Sequence, residues 1–106
     1  MSVDITVNGE VTTAYLSGEI DHHSASAIRS AIDNAAELNM PSLLILDFTR
    51  VSFMDSSGIG LVMGRYRNLQ KYNAQLYIFN PNPLIKKMMH IGGMDRLAKI
   101  ENNRGE

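Results

Sequence analysis

Two hydroxyls stand side by side in Phe53-Met54-Asp55-Ser56-Ser57-Gly58-Ile59-Gly60, where an apolar stretch gives way to small polar residues and then to a helical period. Residues of these types at a helix start admit three chemistries. As a cap, Asp55 or a serine accepts a hydrogen bond from an otherwise unpaired backbone N–H, worth about 1 kcal/mol. As a phosphoryl acceptor, a serine here sits where the helix dipole and exposed N–H groups favour an anion, so phosphate should leave the domain folded. It would add roughly -1.5 to -2 charges beside Asp55, repel acidic partner groups and resist burial in an interface. As a hydrolase nucleophile, the serine needs a glycine two residues before it, and Met54 or Asp55 stands there. His22, His23 and His90 lie in no pattern that brings a base to it.

The same stretch contains Gly58, Gly60 and Gly64 at the beginning of a helix, faintly like a dinucleotide fingerprint. That fingerprint belongs to a first strand-helix turn and needs an acid near the end of the next strand, and Leu76-Tyr77-Ile78-Phe79 supplies none. Gly60 and Gly64 are expected to let the helix approach the sheet or another helix closely. A small-ligand or nucleotide site on the Gly58–Gly64 helix start is the alternative reading. His22 and His23 are adjacent, so on a helix they diverge by about 100° and cannot share one metal ion as a pair four apart would. No metal and no cofactor are expected. Met63, Met88, Met89 and Met94 suit core and rim packing, and Lys86, Lys87 and Arg96 suit a solvated face.

The elements that position Ser56 and Ser57 follow from hydropathy. Val3 to Val7 alternates as a strand, Asn8-Gly9 reads as a two-residue turn, and Val11 to Leu16 is the partner strand, broken at Gly18. Asp21-His22-His23-Ser24 caps a helix whose apolar face is Ala25, Ile28, Ala31, Ile32, Ala35 and Leu38. After Pro41, the run Leu43-Leu44-Ile45-Leu46 predicts a central strand covered on both faces. Ile59, Val62, Met63, Tyr66 and Leu69 mark the next helix, and Leu76 to Phe79 a further strand. Asn80-Pro81-Asn82-Pro83 forces a turn into a short helix from Leu84 to Ile91, closed at Gly92-Gly93. Leu97 to Ile100 is a last strand or helix, and Asn102 to Glu106 a frayed tail.

The whole predicts one α/β domain over residues 1–106, a mixed sheet of four to five strands with helices packed on it. With 106 residues, 44% hydrophobic and 20% charged, the chain has the composition of a single globular unit. Ten basic against eleven acidic residues give a net charge of -1, which argues against an electrostatic grip on nucleic acid. Lacking cysteine, the chain has no disulfide framework, thiolate metal site or cysteine nucleophile. No window is long and apolar enough for a membrane span, so a soluble, cytoplasmic protein is expected.

Gly18-Glu19-Ile20-Asp21-His22-His23, together with Ser52-Phe53-Met54-Asp55-Ser56-Ser57-Gly58-Ile59-Gly60 and Gly64-Arg65-Tyr66, resembles the anti-sigma factor antagonists, small STAS domains of the kind that serve sporulation. The resemblance runs from about residue 3 to residue 100. It implies a regulatory binding protein with no catalysis of its own. Its partner is an anti-sigma factor that is also an ATP-dependent serine kinase. The unphosphorylated antagonist binds that kinase and frees the sigma factor, phosphorylation ends the binding, and a serine phosphatase restores it. The phosphorylated serine follows the motif aspartate, which here is Ser56. Asp55, Ser57 and Gly58 would support its loop, while Glu19, Asp21, His22 and His23, with Ile59 and Met63, would border the partner surface. The family carries a longer C-terminal helix, for which this sequence has only the segment after Ile100.

Overall fold

The computed structural model describes residues 2–102, and of the expected frayed tail the segment 103–106 lies outside them. Strand β1 (Ser2–Asn8) pairs antiparallel with β2 (Val11–Ile20). Helix α1 (His22–Asn39) leads to β3 (Leu43–Met54), and α2 (Ser56–Leu69) with a 3-10 turn leads to β4 (Gln75–Phe79). Helix α3 (Pro83–Ile91) and a second 3-10 turn precede β5 (Lys99–Glu101). This is an α/β fold with a mixed five-stranded sheet.

The sheet order is β1-β2-β3-β4-β5, and every pair after the first is parallel. Each crossover therefore steps in the same direction across the sheet, and right-handed crossovers then put all the helices on one face. The core confirms it. Ile28 and Ile32 of α1, Leu61, Val62 and Leu69 of α2, and Ile85 and Met89 of α3 form one cluster with Ala14, Leu16, Leu44, Leu46, Phe48 and Ile78 of the strands.

Several expectations need correction. Strand β3 is central but not covered on both faces: Leu44, Leu46 and Phe48 are buried, while Leu43, Ile45 and Asp47 on the opposite face are half-buried. The two-residue loop of the first hairpin is Gly9-Glu10, with Asn8 still paired to Val11, because Gly9 rather than Asn8 takes the positive φ of +62°. Gly18 does not end β2; at φ +86° it lies in an irregular stretch through which the strand continues to Ile20. Leu38, assigned to the apolar face of α1, is 84% exposed. The last element resolves as strand β5, and Met89 and Met94 are core while Met63 and Met88 pack at its rim.

Candidate functional site

Asp21 and Asp55 occupy equivalent places at the carboxyl ends of neighbouring parallel strands. Ile20 and Met54, the residues before them, are register partners, and the Asp55 N–H donates to the Ile20 carbonyl at 3.1 Å. Each aspartate then caps the helix that follows. Asp21 Oδ1 accepts from the N–H groups of His23 and Ser24 at 2.9 and 3.0 Å, and Ser24 Oγ accepts in return from the Asp21 N–H at 3.0 Å. The bond from the Ser24 N–H, with His23 assisting, holds the Asp21 carboxyl below its usual range. Asp55 Oδ1 accepts from the Ser57 N–H at 2.8 Å.

This cap aims the two serines differently. Ser56, the first residue of α2, is exposed, and its hydroxyl has no hydrogen bond to another described residue. Ser57 is half-buried. Gly58 is fixed by packing: a Cβ there would lie 2.1 Å from Met54 Cγ and 2.3 Å from Met54 Sδ. Met54 is itself buried at the end of β3, so the start of α2 sits directly on the strand that delivers it.

The other expected site residues divide among three faces. Glu19, Asp21 and His23 line a shallow depression with Gly18, Ser24 and Ala27. His22 turns the other way, into the groove between α1 and α2 that Ser57 also lines. The two imidazoles diverge as expected, with ring centroids 5.7 Å apart and planes at 64°. Ile59 and Met63 are half-buried against the core, and Ile59 lies on the α3 side, near Gly92.

Gly60 and Gly64 overturn an expectation. Nothing lies within 4 Å of where a Cβ would stand at either position, so neither serves a close approach by the sheet or another helix of this domain. A glycine inside a helix costs about 1 kcal/mol against alanine, and the packing of this domain gives no reason for the two. Both line the α1–α2 groove together with Arg29, Arg65 and Arg67. Arg29 and Arg67 were missed by the sequence reading because their neighbours across the groove come from the other helix. Among the described residues no three of His, Cys, Asp and Glu are placed to hold a metal ion, and no helix is long and apolar enough to cross a membrane.

The fold that presents this helix head is shared with known proteins. The family model described as the STAS domain matches residues 2–106. The chain belongs to the STAS domain family. This STAS domain is 36% identical over 88 residues to an anti-sigma F factor antagonist of Lysinibacillus sphaericus, a match covering 83% of the chain and 75% of that protein. It is 26% identical over 103 residues to an anti-sigma F factor antagonist of Paenibacillus polymyxa, covering 97% and 88%. Among solved structures, the anti-sigma factor antagonist SpoIIAA in its unphosphorylated form superposes with a TM-score of 0.84 at 32% identity, covering 98% of this chain and 90% of that one. The Bacillus cell fate determinant SpoIIAA in its phosphorylated form superposes with a TM-score of 0.77, also at 32% identity, covering 98% and 93%.

Proposed function

We propose that this STAS domain is an anti-sigma factor antagonist switched by phosphorylation of Ser56. The observation that carries the proposal is the contrast at the head of α2: Ser56 presents an exposed hydroxyl, whereas Ser57 is half-buried and its N–H is committed to Asp55. A kinase can reach the first without disturbing the cap. The names of the relatives, and two SpoIIAA structures described as unphosphorylated and phosphorylated, support the same reading.

In the proposed cycle the unphosphorylated protein binds an anti-sigma factor, which is also an ATP-dependent serine kinase, and so releases the sigma factor. The chain contributes a surface and an acceptor hydroxyl, and no catalytic group. Phosphate on Ser56 sets a dianion beside the Asp55 carboxylate, and burying that dianion in a contact without a matched basic group costs more than the contact returns. The complex separates, and a serine phosphatase resets the protein. Glu19, Asp21, His22 and His23, with Ile59 and Met63, are assigned to the rim of the partner surface.

The test is a titration of the anti-sigma factor with wild type, Ser56→Ala and Ser56→Asp proteins. Ser56→Ala should bind and Ser56→Asp should bind more weakly, all three remaining folded by circular dichroism. Wild-type affinity in Ser56→Asp would contradict the electrostatic switch.

A further inference from the structure

The two glycines that the fold does not need lie in a setting that explains them. Ser26 and Arg29 on α1, and Ser57, Gly60, Gly64 and Arg67 on α2, line one groove. The α2 positions are three, four and three residues apart and so share a face of that helix. Over the ten residue steps from Ser57 to Arg67 this strip runs about 15 Å. Gly60 and Gly64 leave its floor open, with nothing within 4 Å of either missing Cβ.

The walls are basic. Among the described residues no carboxylate lines the groove. Arg65 is buried in its wall with its side chain 7% exposed, and its Nε lies 2.8 Å from Asp33 Oδ1. The same guanidinium donates from an Nη to the Leu61 carbonyl at 3.3 Å. Burial pushes the Arg65 guanidinium below its ordinary value against the pull of Asp33, and the charges of Arg29 and Arg67 push the same way. Three guanidiniums therefore line one groove, and Asp33 pairs with Arg65 among them.

We propose that the α1–α2 groove seats an acidic helix of the anti-sigma factor, an inference that rests on the antagonist function above. Charge selects an acidic occupant, and a strip of small residues admits a helix backbone closely, as in helix-in-groove recognition. A phosphate-bearing small molecule fits less well. The N–H groups of His23, Ser24 and Ser57 at the two helix starts are already taken by Asp21 and Asp55, so these donors are not available to its phosphates. Ser57 opens the groove and adjoins Ser56, so a phosphate on Ser56 meets the acidic helix at the mouth of its seat.

The experiment compares Gly60→Ala/Gly64→Ala and Arg29→Gln/Arg67→Gln variants of the full chain with wild type, by thermal unfolding and by calorimetric titration of the purified anti-sigma factor at low and high salt. The glycine variant should melt roughly 5 °C higher and yet bind roughly tenfold more weakly. The arginine variant should also lose roughly tenfold in affinity and show a flatter salt dependence. Wild-type affinity in both variants overturns the groove while leaving the antagonist function standing. Saturable binding of ATP or inorganic phosphate that the arginine variant abolishes, with partner affinity intact, overturns the choice of occupant. A wild-type protein that binds no anti-sigma factor overturns the antagonist function, and the groove inference with it.

Discussion

The N–H of Asp55 donates to the carbonyl of Ile20 at 3.1 Å, which ties the cap of α2 to the residue preceding the cap of α1. One backbone bond thereby holds two helix starts in fixed relation at the carboxyl edge of the parallel strands, where open α/β sheets commonly place their binding groups. Ser56 inherits its position from that bond and from the packing of Gly58 on Met54. Stability and the proposed switch are thus separable, because the groups that place Ser56 are not the hydroxyl proposed to be modified.

Gly58→Ala should destabilise the domain by about 1–3 kcal/mol, the usual cost of overpacking, because the new methyl falls within 2.3 Å of two atoms of buried Met54. Combining it with Met54→Ala should cost less than the sum of the two single changes, since each relieves the other. Urea unfolding of the four proteins in the cycle measures the coupling, and strict additivity would mean that the two residues do not press on each other.

Removing the Asp55 carboxylate leaves the Ser57 N–H without its 2.8 Å acceptor. Asp55→Ala should therefore lose about 1 kcal/mol of unfolding free energy, and Asp55→Asn, still a good cap, much less. Both keep the backbone bond to Ile20, so the dependence of stability on denaturant should keep its slope.

Asp21 provides a pH signature. Its folded-state carboxyl titrates below the reference value of 3.8, chiefly because the Ser24 N–H bonds to it. A depressed carboxyl contributes stability that is fully present above the unfolded value and is lost as pH falls through the folded one. The stability difference between wild type and Asp21→Asn should be constant from pH 6 to 8 and should move against the wild type below about pH 4. A difference that does not change with pH would show that the carboxylate charge adds nothing to the cap.

Much of this was legible in the sequence, and the exceptions share a cause. The strand-helix alternation and both aspartate caps follow local chemistry that a single stretch displays. The continuation of β2 through Gly18, and of β3 through Thr49-Arg50, does not: between Tyr15↔Asp47 and Glu19↔Phe53 the register slips twice, so the buried positions of β3 become Phe48, Val51 and Met54, three apart. Bulges erase the alternation on which a strand reading depends. A serine as a modification candidate came from the Asp-Ser-Ser-Gly stretch at a helix start, and its assignment to Ser56 came from the family resemblance. The basic groove could not, because Arg29 and Arg67 belong to different helices and meet only once the parallel crossovers lay α1 beside α2.

The central claim is that Ser56 is the phosphoryl acceptor. Its most direct test is incubation of the protein with ATP and the anti-sigma factor kinase, followed by intact mass and fragment mapping. A single added phosphate on Ser56, absent from Ser56→Ala, is the predicted result. Phosphate on Ser57 or elsewhere in the wild type, or undiminished incorporation into Ser56→Ala, would contradict it.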